Sequence, residues 1–465
     1  MVNPTDGKAR VPRLIVVAIA CLLLPAEFDV GSLNLSPSKV LFLIAVPILL
    51  LNLFRGAYGK VVAPDYLVLA YTFWMSLSVF INNPSVAAQY VGSNNLVLLG
   101  GYLVARAAIR DKQSAAGLAY FLAYVVLFSI PFVVYESITG HATIVTWLDN
   151  LPGIGSYTDK DHDPRLGLWR SQWAFVHPIH YGLFCSLALS LYFTGLADQV
   201  GALKRTIVAM GVAIACFASV SSGPFLALAA QIALTGWVAC TGWAKSRWTI
   251  LWTILIIAYI PIELGSNRFG LYAIVERVSF SPDTAFIRKL LFDYGTAQVA
   301  RTPIFGVGFN PFPLPFFMTG SLDNFWLALA IRFGMPAFLF LFCAVLWGMI
   351  AAGKRDFSHD PFLNNWRRAW IFTMVSMILS LSTVAVWSEM YSITLFMIGC
   401  GMWMLTDPAA PPAAAVQPST PNESTQFVRE RQSARVTGAD NPYTRFPNGQ
   451  KPKAERKPGI TRKYR

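Results

Sequence analysis

Ala115-Ala-Gly-Leu-Ala-Tyr-Phe-Leu-Ala-Tyr-Val-Val-Leu-Phe-Ser-Ile-Pro-Phe-Val-Val-Tyr-Glu136 carries no charge until its last residue, and Arg106, Arg110 and Lys112 stand just before it. An α-helix needs about 20 mainly apolar residues to cross the hydrocarbon core of a bilayer. The sequence on either side repeats the pattern. Apolar runs cover approximately 14–26, 39–54, 64–81, 86–105, 115–136, 178–197, 206–221, 224–243, 248–264, 325–352, 369–388 and 390–405. The expected fold class is therefore all-α, a polytopic integral membrane protein with about twelve transmembrane helices.

Composition agrees. The chain of 465 residues is 55% hydrophobic, 14% aromatic and 13% charged, with a mean hydropathy of +0.50, whereas soluble domains are about 25% charged. The formal net charge is +13. Much of it lies beyond Asp407, in a stretch rich in Pro, Ala, Ser and Thr without apolar periodicity. Residues 406–465 are thus expected to form a disordered, basic, cytoplasmic tail near anionic lipid headgroups, not a nucleic-acid-binding segment. All six cysteines fall inside apolar runs without a CxxC pair, so neither a disulfide nor a cysteine-bound metal is expected. The 14–26 run follows Lys8 and Arg10 but ends in Pro25-Ala26-Glu27-Phe28, with no small-x-small cleavage site; it is expected to be a retained first span.

The positive-inside rule sets the sides. Arg55/Lys60, Arg106/Arg110/Lys112, Lys204/Arg205, Lys245/Arg247 and Lys354/Arg355/Arg367/Arg368 fall in alternate loops. One solution accommodates them: residues 1–13 as a cytoplasmic N-terminus, 14–405 as the membrane domain, and both termini in the cytoplasm. Two long loops, about 138–177 and 265–323, then face the extracytoplasmic side. Function is expected there, because loops held by a rigid scaffold carry chemistry.

The second loop holds Arg268, Arg277, Arg288, Lys289 and Arg301 against Glu276, Asp283 and Asp293. Arginine is suited to bidentate recognition of phosphate; the plain alternative is pairing with local carboxylates. Ser281-Pro282 reads as a helix start. Phe286, Ile287, Leu290, Leu291 and Tyr294 then recur at helical spacing, predicting an amphipathic helix on the membrane surface. The first loop ends in Arg165-Leu-Gly-Leu-Trp-Arg170-Ser-Gln-Trp-Ala-Phe-Val-His177-Pro-Ile-His180. Its aromatics could form a membrane belt or stack on sugars. His177 and His180 lack an evident third ligand, so no metal is expected. Arg332 is either near mid-membrane, facing a polar cavity, or on a surface helix preceding a span that starts at Phe333.

Three segments together resemble the O-antigen ligase and polymerase superfamily of bacterial envelope glycosyltransferases. Arg170-x4-Phe175-x-His177-Pro178 resembles the family's R-x-x-G-x-F-x-N/H-P, with Trp173 in place of the Gly. Arg288 followed by Pro303-x-x-Gly306-x-Gly308 resembles the family's Arg and P-x-x-G-x-G. Asp323-Asn324-x9-Gly334-x-x-Ala337 has the spacing of the ligase pattern H-N-x9-G-x-x-G, with Asp for the His and Ala for the last Gly. Ser221-Ser222-Gly223 resembles a family turn more weakly.

The resemblance implies a metal- and cofactor-independent glycosyltransferase of the bacterial inner membrane. Its substrate would be a polyprenyl-pyrophosphate-linked glycan, passed to an acceptor hydroxyl at the outer face. The motif match gives Arg288 and Arg170 the task of stabilising the pyrophosphate leaving group and Asp323 that of a base or acceptor-positioning group. Arg165, Arg301, His177, His180, Asn324 and Arg332 follow as substrate-binding candidates. The missing ligase His favours a repeat-unit polymerase, served by the lipid bilayer and a separate chain-length regulator as partners. Ligase-type transfer to a final acceptor and a twelve-span transporter or flippase are the alternatives; the short connection at 197–205 and the absence of a basic transporter motif after the second span weigh against the transporter.

Overall fold

The computed structural model describes residues 9–30, 33–151, 155–156, 164–265, 282–315 and 322–406. The expected tail and Arg268, Glu276, Arg277 and Ser281 lie outside them. The helices in chain order are α1 (Arg13–Leu23), α2 (Pro37–Phe54), α3 (Ala63–Asn82), α4 (Pro84–Ala108), α5 (Lys112–Thr139), α6 (Thr143–Asp149), α7 (Pro178–Phe193), α8 (Ala202–Ala218), α9 (Ser222–Cys240), α10 (Arg247–Gly265), α11 (Pro282–Arg301), α12 (Phe325–Phe333), α13 (Met335–Lys354), α14 (Pro361–Leu381), α15 (Ser388–Gly399) and α16 (Trp403–Thr406). Three short strands depart from the all-α expectation: β1 (Ala26–Val30) pairs antiparallel with β2 (Leu33–Leu35) and with β3 (Gly155–Ser156).

Six helices among the described residues, α2, α3, α5, α9, α10 and α13, are long and apolar enough to cross a membrane. α10 makes the case most directly. None of its residues is buried, although it exposes Trp252, Ile256, Ile257 and Leu264. An apolar helix that leaves such large side chains uncovered by protein is at home in lipid. The chain is a mostly helical, membrane-embedded protein.

The helices pack as two groups, α2, α3, α4, α13 and α15 in one and α5, α7, α8, α9 and α14 in the other. α7 and α15 are buried along nearly their whole lengths and form the middle. α4 and α15 approach closely because Gly101 lies against the Ser392 backbone and Gly399 against that of Tyr102. Small residues at such crossings let helix backbones meet where no aqueous hydrophobic effect drives association.

Charge is resolved by pairing. Arg106, one of the basic residues read as a loop marker, is fully buried and bonds Asp65 through Nε at 3.1 Å. It also donates to the Tyr58 and Lys60 carbonyls, while Tyr102 Oη donates to Asp65 at 2.6 Å. At the same end of the bundle Lys112 reaches Asp360, the N-cap of α14.

The single run at 325–352 is two helices. Gly334, with φ +86°, separates the nine-residue α12 from α13. Arg332 therefore lies at the end of a short helix ahead of the spanning one. It is exposed, with its guanidinium 6.0 Å from the Phe309 ring centroid. The Pro303–Gly308 stretch closes over this break. Gly306 and Gly308 take φ of +63° and +62°, and Val307 and Gly308 donate to the Ile331 and Arg332 carbonyls at 2.9 and 2.8 Å. A Cβ at Gly306 would overlap the Ile331 carbonyl, and one at Gly308 the Asn83 side chain. The two glycines serve backbone packing. α11 starts at Pro282 as expected, but its packed stripe differs from the predicted one: Ile287, Leu290 and Leu291 meet Leu327 and Ile331 of α12, while Phe286 and Tyr294 face outward.

Candidate functional site: an arginine pocket

A pocket of about 200 Å³ lies at the end of the bundle away from the Asp65–Arg106 pair. Arg165 and Arg170, from the loop before α7, and Arg288, from α11, line it together with Asp323, which precedes α12. His177 and Ile179 at the start of α7, Ser221 to Gly223 at the start of α9, and Val384, Ala385 and Trp387 ahead of α15 complete the wall. His177, Ser221, Asp323 and Trp387 thus sit at or just before the N-terminal ends of four helices, where the unpaired backbone N–H groups and the macrodipole favour an anion.

Each cation is placed by its local chain. The 165–177 segment folds back into the protein, with Ser171 to Phe175 buried. Trp169 N donates to Ser137 O at 3.0 Å and Ser171 N to Ala218 O at 2.9 Å. The buried Glu136 carboxylate, at the end of α5, accepts from Gln172 N at 2.9 Å and Trp173 N at 3.1 Å. Glu389 accepts from Val176 N at 3.2 Å. Arg170, at the mouth of this anchored turn, donates from Nη2 to Ser221 Oγ at 2.9 Å. Trp173 has φ +56°, a left-handed conformation that favours glycine. The only other non-glycine residues with positive φ among the described residues are Leu166, Val220 and Ser388. They adjoin Arg165, Ser221 and Trp387, so all four lie in the loops that build the pocket. Backbone strain held by surrounding structure gathers at functional sites.

Arg288 is half-buried, and its Nε has no hydrogen-bond partner among the described residues. Burial lowers its pKa from the ordinary guanidinium value; Asp323 opposes that shift and Arg165 adds to it. A guanidinium partly out of water, close to a second one, is prepared for an anion that the protein itself supplies only in part.

His177 caps α7, its Nδ1 accepting from Ile179 N at 3.1 Å. That bond places the ring proton on Nε2, so the neutral imidazole is a donor toward its other side. His180 is fully buried behind the pocket, with Nδ1 3.7 Å from Glu389 Oε1 and its ring edge against Trp387; it does not line the cavity. Asn324 caps α12 by accepting from Leu327 N at 3.0 Å. Arg301 is exposed at the far end of α11, about 20 Å along the helix from Arg288 at 1.5 Å per residue, and Arg332 lines a neighbouring cavity. Of the expected site residues the pocket thus gathers Arg165, Arg170, His177, Arg288 and Asp323. His180, Arg301, Asn324 and Arg332 lie outside its lining: the first is in the core, the second is remote along α11, the third caps α12 and the fourth lines the neighbouring cavity. The sequence reading passed over Trp387. Trp387 precedes the last apolar run, and its aromatic beside a helix start was the one available signal. Among the described residues no three His, Cys, Asp or Glu side chains converge as a metal would require. No family model matches the chain, and no curated protein matches it either.

Proposed function

We propose that the protein is a glycosyltransferase of the bacterial inner membrane that joins polyprenyl-pyrophosphate-linked repeat units into a surface polysaccharide or exopolysaccharide. In this reading the chain crosses the membrane twelve times with both termini cytoplasmic, and the arginine pocket opens to the outer face. The observation that carries it is the convergence of Arg165, Arg170 and Arg288 on one small cavity with Asp323 at its edge.

The chemistry follows from that arrangement. An acceptor hydroxyl attacks the anomeric carbon of the donor glycan. A new glycosidic C–O bond forms as the C–O bond to pyrophosphate breaks, and the electron pair leaves on the phosphate oxygen. Arg288, Arg170 and Arg165, with the surrounding helix N-termini, stabilise that growing charge, which fixed donors do without reorganisation. The hydroxyl proton passes to Asp323, the carboxylate that lines the cavity. His177 donates from Nε2 and so serves binding, not proton removal. Asp323 stands where ligases of the resembled family carry a His, which favours transfer between repeat units over transfer to a lipid core.

Purified protein in nanodiscs, given a polyprenyl-pyrophosphate-linked repeat unit, is expected to release polyprenyl pyrophosphate and yield dimers and longer chains. Release without chain growth unless a different acceptor is added would indicate the ligase reaction, and no release under any acceptor would refute the proposal.

A further inference from the structure

The largest cavity described, about 640 Å³, lies away from the arginines between the start of α2 and the first half of α4. Its walls are of two kinds. Gln89, Ser93 and Asn94 project from α4, and Lys39 from α2 faces them; Leu43 and Leu96 supply an apolar side. Lys39 Nζ spends two of its three donors on Asn34, at 3.1 Å to the carbonyl and 3.1 Å to Oδ1. One donor remains for a ligand. Asn94 already donates to Tyr90 Oη at 3.3 Å, but Gln89 and Ser93 on an outward helix face are costly against hydrocarbon and call for a polar occupant. The adjoining leucines call for an apolar one. The volume is that of a ligand site.

A third cavity lies between the cleft and the arginine pocket along the chain. Phe309 lines both the cleft and a cavity of about 190 Å³ whose wall includes Arg332 and Leu322. Leu322 is the residue before Asp323. The cleft thus adjoins the cavity that Arg332 lines, and that cavity borders the residue before Asp323.

We propose that this cleft binds the acceptor, a second lipid-linked saccharide. Its sugars lie along Gln89 and Ser93 of α4, its phosphate lies at Lys39, and the first isoprene units of its carrier lie on Leu43 and Leu96. Arg332 then guides the sugar end toward Asp323. This rests on the transferase reading above, and assigns the two substrates of that reaction to two separate places.

Gly92 allows a clean test. It lines the cleft, and a Cβ there meets nothing within 4 Å, so Gly92→Leu starts in open space and narrows the cleft. The probe is polyprenyl pyrophosphate carrying one N-acetylglucosamine and a diazirine on the first isoprene, photolysed with the full chain in nanodiscs. Peptides within 84–96 are expected to be labelled in the wild type, at least fivefold less in Gly92→Leu, and at the wild-type level in Arg288→Ala. Polymer made by Gly92→Leu is expected to fall in parallel. No labelling of these peptides, equal labelling in Gly92→Leu, or equal competition by phosphatidylglycerol would overturn the proposal, the last marking an ordinary lipid contact. Should labelling behave as expected while Arg288→Ala still makes polymer, the cleft stands and the arginine pocket loses its assigned role.

Discussion

Replacing Glu136 by Gln changes one atom group outside the pocket, yet it should disable the pocket. Both carboxylate oxygens accept from backbone N–H groups, Gln172 at 2.9 Å and Trp173 at 3.1 Å. Only the ionised form can accept at both oxygens. A Gln side chain offers one oxygen and sets its NH2 against the other amide, leaving a buried N–H unsatisfied at a cost of about 1–3 kcal/mol. The remaining bond loses its charge assistance, roughly half its strength. The sum is about 2–4 kcal/mol, and Trp173, at φ +56°, adds its own push of about 1–2 kcal/mol toward a relaxed conformation. A loss of about 2–4 kcal/mol shifts the equilibrium between anchored and released turns roughly 30- to 700-fold toward release, at 1.4 kcal/mol per tenfold. The assay is polymer formed per unit of membrane-inserted protein, together with hydrogen exchange across residues 170–177. Polymer should fall at least tenfold and exchange should quicken there, with protein level held within twofold. Unchanged exchange and polymer would refute the claim that Glu136 holds Arg170 in place.

Asp65→Ala should destabilise the whole bundle by about 3–5 kcal/mol, because it leaves the buried Arg106 without its carboxylate; thermal unfolding in detergent and the level in membranes would show it. Asp323→Asn should lower transfer by about 10²–10⁴-fold while donor binding persists, as expected for loss of a base, read by kinetics alongside binding of the lipid-linked donor. Arg301→Ala should leave polymer within about twofold of wild type, since an exposed residue away from the pocket contributes little; polysaccharide quantification checks it.

The membrane character and most helix positions were legible in the sequence because lipid imposes a length and an apolar composition on each span. The break at Gly334 stood in the sequence only as one of two alternatives, because contacts with Ile304 and Pro303 from a distant segment fix where the helix stops. Arg106 was misread as a loop marker, since its partner Asp65 lies forty-one positions away, and pairing across helices leaves no local trace. For the site, Arg170, Arg288 and Asp323 were found through motif order and spacing, and the structure brings them to one cavity. Asn324 and His180 lie outside the lining of that cavity. A polar residue at a helix start is as readily a cap, and a histidine three residues inside the start of a buried helix points into the core. Arg301 shared only charge and loop with Arg288; the helix between them carries it away.

The central claim is that the arginine pocket breaks the bond between a glycan and its lipid pyrophosphate. Its most direct test is mass spectrometry of polyprenyl-linked glycans from cells carrying Arg288→Ala in place of the wild-type chain. Single repeat units accumulating on the carrier at the outer face, with long chains absent and the variant present in the membrane at its normal level, is the predicted result. Long chains at wild-type abundance would contradict the account.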